Sequence, residues 1–412
     1  MCLGTEFDDS PPLFSLTIHF LHFNINTSTT AASSNSNKKR RGEARDKDEE
    51  EDDRPQQLRH IHTQMTSSEH IDNDLVSQSP GTLSEERFAS DYELVSLSPG
   101  TRVCGRWTII KELGQGAFGT VFLCKDTTTG RQAAMKTESA DADPFLWQEA
   151  AIMRSVHSRG GPGTEHFCRC FDEGKDIQRD SKRGTLVSFN YIVMSLIGRG
   201  LFGLLSRAND KFSPGTAIGV SIQLLHALKT LHNIGYLHLD VKPENAVIGR
   251  RESNERQLIF LIDFGLARKY VSRSGKYRRE RSRTHFRGTP MYASISAHAR
   301  SDYCRADDIE SWFYTMVDMY AGQLPWTNEK NEHKTGRMKS LRLNDQPEEV
   351  RQKALHALLK RCPPIFYEIL DHIDELEFYE RPNYEWIELV LRGYLIANDI
   401  QEKDYDWERT AG

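Results

Sequence analysis

The 412-residue chain has no run of eighteen apolar residues, which excludes a membrane-spanning helix. The nearest approach, residues 13 to 23, is broken by Ser, Thr and two His. Acidic residues precede it where a secretory signal carries positive charge, so no export signal is expected. Apolar residues supply only 38% of the chain, below the globular share, and part of it is therefore expected to stay unpacked. Cysteine is scarce too. The seven are odd in number and scattered, which excludes a disulfide framework and fits reduced thiols in a cytosolic or nuclear setting. His166, Cys168 and Cys170 lack a second ligand pair, so they read as core or loop groups, not a zinc site. Nor is there an excess of one charge: the net value is −5. No internal repeat is present. The length suits one large two-lobed domain with tails, or two to three smaller units.

Residues 1 to about 100 carry a Ser/Thr/Asn stretch, a basic run (Lys38, Lys39, Arg40, Arg41) and an acidic run at 48 to 53. Such blocks bury too little apolar surface to order a chain, and a disordered tail is expected there. The basic run is a solvated patch or a nuclear address. From Arg106 the texture changes. Residues 107 to 113 and 120 to 124 read as two strands of a hairpin, and 132 to 136 as a third strand. Residues 144 to 156 have a helical rhythm, with Leu146, Ala150 and Met153 on one side. Beyond Ser195 the pattern is mainly helical, notably at 217 to 232 and 308 to 320, with short strands at 245 to 248 and 258 to 262. The fold class expected is α+β: a small β-rich lobe followed by a larger helical one.

Gly114-Gln115-Gly116-Ala117-Phe118-Gly119-Thr-Val121 is a G-x-G-x-x-G-x-V stretch. Alone it is weak, since dinucleotide-binding domains share part of it. Here it lies between two strands and opens no helix, so it reads as a flexible hairpin whose N–H groups can approach phosphate oxygens. Lys136 follows Gly119 by 17 residues, and Glu149 comes 13 later on the helical stretch, placed to pair with it. Taken singly, each is more often a surface charge. Their order gives them value. His238-Leu-Asp240-Val-Lys242-Pro-Glu-Asn245 fits H-x-D-x-x-x-x-N, and Asp263-Phe264-Gly265 follows Asn245 by 18 residues. Asp240 is placed to take a proton from a hydroxyl, and Lys242 to neutralise a moving phosphoryl group. Asn245 and Asp263 offer the oxygen ligands that Mg²⁺ prefers.

Across residues 106 to 398 the sequence resembles the eukaryotic protein kinases. Ser294-Ile295-Ser296, where most kinases carry Ala-Pro-Glu, is similar to the casein kinase I group. Ala306-Asp-Asp308-Ile-Glu-Ser-Trp-Phe313, Gly322-Gln-Leu-Pro-Trp326 and Arg381-Pro-Asn-Tyr384 look most like its tau-tubulin kinase branch. The resemblance implies the two-lobed kinase fold, with a smaller lobe at 106 to 197, a larger one at 198 to 398 and a short tail from 399. It also implies ATP and Mg²⁺ as cofactors. Met194 becomes the gatekeeper beside the adenine, with Ser195 and Ile197 as hinge positions that bond the base. Thr289 matches the threonine that contacts the catalytic aspartate, which favours Ser/Thr substrates, and Asp308 matches a brace behind the catalytic loop.

Three positions depart from the pattern. Leu239 replaces the arginine that grips a phosphorylated activation loop, Gly203 an acidic residue near the ribose, and Met291 a basic residue of an anion site. Arg337 keeps a second basic position of that site, and residues 276 to 283 add positive charge, so acidic or prephosphorylated protein substrates are expected. A pseudokinase is the alternative, and the intact set Lys136, Glu149, Asp240, Asn245 and Asp263 counts against it. The pI near 6.3 argues against a nucleic-acid partner, and a monomer is expected.

Overall fold

The computed structural model describes residues 94 to 116, 119 to 141, 145 to 272, 274 to 402 and 405 to 409. The basic and acidic runs of the expected tail, together with Ala117 and Phe118, lie outside the described residues.

Six strands form one antiparallel sheet: β1 (Arg102–Val103), β2 (Trp107–Gly116), β3 (Gly119–Asp126), β4 (Gln132–Ser139), β5 (Cys170–Arg179) and β6 (Leu186–Met194). Their spatial order is β1-β2-β3-β4-β6-β5. Alternation along each strand sends Trp107, Ile109, Phe122, Cys124, Met135 and Val193 into one apolar layer. Helix α1 (Phe145–Arg159) follows β4 and buries Leu146, Ala150, Met153 and Val156, the stripe that a 3.6-residue period prescribes.

The larger lobe is built around α3 (Pro214–Asn233), which follows a short α2 (Leu201–Arg207). Ser213 caps α3 by accepting Thr216 N–H at 3.3 Å, and proline at the first helical position needs no partner for its nitrogen. The short pieces β7 (Tyr236–Leu237), β8 (Ala246–Ile248), β9 (Ile259–Leu261) and β10 (Arg268–Lys269) carry the catalytic and metal motifs on their connections. Helix α4 (Ile295–His298) precedes α5 (Arg305–Ala321). Every position of α5 but Ala306 is buried, and it ends at Gly322, whose φ of 84° suits a glycine terminator. Trp312 of α5 donates to Ser221 O of α3 at 2.8 Å, locking the central pair together. Helices α6 (Glu332–Ser340), α7 (Glu348–Leu359), α8 (Ile365–Asp374), α9 (Tyr384–Ala397) and α10 (Asp406–Arg409) complete it.

Both expected boundaries move outward. Residues 94 to 100, assigned to a disordered tail, pack on the sheet: Val95 and Leu97 are buried in its apolar layer. Ser96 N–H donates to the buried Asp180 carboxylate at 2.9 Å, and Ser181 N–H returns a bond to Ser96 O at 2.8 Å. At the other end, residues 405 to 409 of the expected C-terminal tail pack on the larger lobe. Tyr405 and Trp407 stack at 4.7 Å and are buried, and Asp406 accepts Ser213 N–H at 2.7 Å. The two glycines of α3 allow this approach, because a Cβ on Gly219 would meet Glu402 O at 2.6 Å.

Candidate active site

Lys136 projects from β4, and its Nζ donates to Glu149 on α1 at 2.7 Å and to Asp263 at 3.4 Å. Burial alone would discharge this lysine. The carboxylates of Glu149 and Asp263 outweigh it and hold the pKa above the ordinary lysine range. Burial likewise pushes Asp263 upward, but the nearby Lys136 ammonium reverses the sign and keeps it ionised. A fixed ammonium therefore joins the sheet lobe to the motif that follows β9.

The catalytic loop gathers the other four candidates. Asp240 Oδ1 accepts Thr289 N–H at 2.9 Å and Thr289 Oγ1–H at 2.7 Å. Its Oδ2 receives Lys242 Nζ at 2.7 Å and Asn245 Nδ2 at 3.0 Å. Lys242 also donates to Thr289 Oγ1 at 2.6 Å, which closes the network. Behind it stands Asp308, fully inside α5. Its carboxylate accepts His238 N–H at 2.7 Å and Leu239 N–H at 2.8 Å, while His232 meets it at 2.8 Å. Burial would raise its pKa, but His232 and His238 outweigh that and lower it. The brace expected from the resemblance is therefore in place.

Two non-glycine residues here adopt positive φ, Leu239 at 67° and Asp263 at 64°. Such strain persists only where the surroundings over-determine it. Asp308 supplies that hold at Leu239. At the other motif, Ile262 N–H bonds Asn245 O at 3.0 Å. Phe264 is buried between Phe167 and His238, at ring separations of 5.8 and 5.5 Å. Gln148, next to Glu149, clasps the same segment by donating to Phe264 O at 3.2 Å and Ala267 O at 2.6 Å.

The glycine hairpin pairs Gln115 with Thr120 and Gly116 with Gly119. Gly119 has φ 132°, and a Cβ there would collide with Thr137 O, so glycine is compulsory. Around Gly114 and Gly116 nothing lies within 4 Å of an added Cβ, leaving their backbone open to a ligand. Val121 sits opposite both Gly114 and Lys136 in register. In the hinge, Ser195 N–H is taken by Arg169 O at 3.0 Å, so only its carbonyl can face a base. Ile197 keeps both backbone groups without a partner among the described residues. Met194, paired with Ala134, half-buries its side chain beside them.

Mg²⁺ fits the donors present. Asn245 spends its Nδ2 on Asp240 and leaves its side-chain Oδ1 unengaged among the described residues; Asp263 likewise leaves Oδ2 unengaged. Two protein oxygens completed by phosphates are the usual Mg²⁺ arrangement, and they explain why no cluster of three acidic, His or Cys ligands occurs among the described residues. A bound Mg²⁺ would neutralise charge on the β- and γ-phosphates. The zinc reading of His166, Cys168 and Cys170 finds no support, since His166 Nδ1 is engaged with Ile259 O at 2.8 Å.

The substrate side corrects one detail. Arg281, within the basic stretch 276 to 283, is held by Asp302 at 3.0 Å together with Arg268. Lys276, Arg279 and Arg283 stay exposed. Arg337 lines a cavity of about 530 Å³ with Ile295, His298, Asn331, His333 and Ser340. Sequence reasoning missed Lys339, buried beneath this cavity. Its Nζ donates to Pro290 O at 2.9 Å and Ala293 O at 2.6 Å, and it lies over the Trp326 and Tyr314 rings. No local signal sets it apart from Lys334 on the same polar helix.

Residues 107 to 387 match the family model described as the protein kinase domain. A Dictyostelium discoideum protein named as a probable serine/threonine-protein kinase is 35% identical over 317 residues, 76% of this chain and 59% of that protein. The serine/threonine-protein kinase spe-6 of Caenorhabditis elegans is 30% identical over 309 residues, 74% of this chain and 76% of its own length.

Proposed function

Because this chain belongs to the protein kinase family, as a serine/threonine protein kinase, we propose that it transfers the γ-phosphoryl group of ATP to Ser and Thr hydroxyls of acidic or prephosphorylated proteins, in the manner of the casein kinase I group. The carrying observation is the closed set Asp240, Lys242, Asn245 and Thr289, with bonds of 2.6 to 3.0 Å. Asp240 accepts the hydroxyl proton, and Lys242 turns from it towards the transferring group as charge develops there. Lys136, held by Glu149, grips the α- and β-phosphates, while the hairpin 114 to 121 covers them. Every part that the reaction needs is present, so a pseudokinase finds no support.

Two features support the group and the substrate class. Ser294 caps α4 by accepting Ala297 N–H at 3.1 Å and donates to Asp307 at 2.6 Å. Glu310 of α5 accepts Ile295 N–H at 3.2 Å and pairs with Arg342 at 2.8 Å. Ser294-Ile295-Ser296 is thereby anchored by a helix carboxylate in place of a loop glutamate. Exposed Arg337 in its cavity and the cations Lys276, Arg279 and Arg283 offer charge to an acidic peptide, although Met291 contributes none.

The test is phosphate transfer by purified full-length protein to a peptide array with Mg²⁺-ATP, alongside Asp240→Asn. We expect phosphoserine and phosphothreonine, a preference for acidic flanks, and a loss of at least about a hundredfold in the variant. Product limited to phosphotyrosine, or equal rates in the variant, would refute the assignment.

A further inference from the structure

A second concavity, of about 810 Å³, is bounded by the hinge exit, α2, the turn between β8 and β9, and α10. No residue of the phosphoryl-transfer network lines it, and only hinge residue Ile197 touches its edge. Its apolar lining comes from Leu204, Phe212, Ile248 and Trp407, all buried.

Its charge is lopsided. Five arginines line it against two carboxylates, in a chain whose net charge is −5. Both carboxylates are already engaged: Glu252 with Arg250 at 3.1 Å, and Asp406 with Ser213 N–H at 2.7 Å. Arg256 donates to Trp407 O at 2.5 Å. Arg199, Arg207 and Arg251 remain, each exposed and without an ion pair among the described residues. Arg251 merely helps the Arg250 guanidinium and the Glu252 backbone keep the Glu252 carboxyl below its ordinary range.

The walls are rigid. Gly198 N–H bonds Ile248 O at 2.8 Å, and Ile248 N–H bonds Arg199 O at 3.0 Å. A Cβ on Gly198 would meet Gly249 O at 2.7 Å, so the two backbones touch. Trp407 is fixed by its indole N–H to Arg256 O at 3.0 Å. A preformed wall loses little freedom on binding.

We propose that this concavity docks an acidic peptide segment of another protein, one apolar side chain entering beside Phe212 and Trp407 while carboxylates pair with Arg199, Arg207 and Arg251. Guanidinium forks match carboxylates bidentately. The three cations belong to three different elements around a space far larger than one small anion fills, which favours a segment over a single ion. Docking there is separate from the Arg337 cavity and from transfer itself.

The test uses the full chain and a fluorescein-labelled dodecapeptide of Asp and Glu interrupted by one Leu and one Phe, followed by fluorescence anisotropy. This readout does not depend on phosphoryl transfer, so its failure leaves the kinase assignment standing. We expect the parent to bind, and Arg207→Glu with Arg251→Glu to weaken binding at least about tenfold with an unchanged melting temperature. Arg207→Gln alone should weaken it about threefold, a milder check should the double variant fold poorly. Arg337→Glu should leave the affinity within about twofold. Undiminished binding by the double variant, no binding by the parent, or loss confined to Arg337→Glu would overturn the proposal. So would a twelve-nucleotide oligothymidine that binds as tightly as the peptide through the same arginines.

Discussion

Asp240 has no free acceptor position. Thr289 fills one carboxylate oxygen twice, and Lys242 and Asn245 fill the other. In the proposed reaction a substrate hydroxyl must displace a donor, and Lys242 is the one with a second destination, the transferring phosphoryl group. Lys136 poses the sharper test. Lys136→Met strips the one cation bonded to the buried Glu149 carboxylate among the described residues, and we expect transfer to fall at least about a hundredfold. The stability change carries a sign. Burial already pushes the Glu149 pKa up, and without its partner it rises further. Between the unfolded and folded values the folded chain then binds more protons than the unfolded one, so stability falls as pH rises. Urea midpoints of the variant, relative to the parent, should fall as pH rises above the ordinary glutamate range. A pH-independent difference would show that Glu149 does not depend on Lys136.

Elements whose order is local were readable from the sequence. The hairpin, the strand at 132 and helix α1 showed through periods of 2 and 3.6, and the order and spacing of short motifs singled out Lys136, Asp240, Asn245 and Asp263. Elements held from a distance were not. Residues 94 to 97 look like tail because Leu94, Val95 and Leu97 are interleaved with serines, and their anchor, Asp180, lies 84 residues from Ser96. Tyr405 and Trp407 depend on two glycines of α3 nearly two hundred residues earlier, a match that no local pattern carries. The packed start also moves the point at which the chain can be cut. Deleting residues 1 to 93 should leave the melting temperature within about 2 °C, because that composition cannot repay ordering. Deleting 1 to 105 also removes buried Val95, Leu97 and Val103 and should lower it by more than about 5 °C, at roughly 2–4 °C per kcal/mol. Equal melting of the two truncations, followed by circular dichroism, would show that the segment adds nothing.

Control of the whole catalytic unit turns on what orders the segment between Asp263 and Ser294. In kinases with an arginine before the catalytic aspartate, a loop phosphate does so through charge-assisted bonds. Leu239 takes that position here, and it is buried with Leu237, Ala293, Ala297 and Tyr303 in an apolar cluster directly beneath the segment. Gly288 presses on it so closely that a Cβ would meet Leu239 O at 2.5 Å. Asp302 holds both Arg268 and Arg281, and Arg305 spans Tyr277 and Tyr379 O at 3.2 and 2.7 Å. From below, Lys339 fixes Pro290 O and Ala293 O. Apolar packing and internal ion pairs thus do the ordering that a phosphate does elsewhere, and the enzyme should be active without one. Complete dephosphorylation, confirmed by mass spectrometry, should leave its rate within about threefold. Leu239→Arg should not create phosphate control; it places an unpaired guanidinium in the cluster and should cost several kcal/mol, about 3 or more, in stability. A hundredfold fall on dephosphorylation, about 3 kcal/mol in barrier, reversed by rephosphorylating Ser272, Ser274, Ser282 or Thr284, would show that the apolar cluster alone does not hold the segment in its active form.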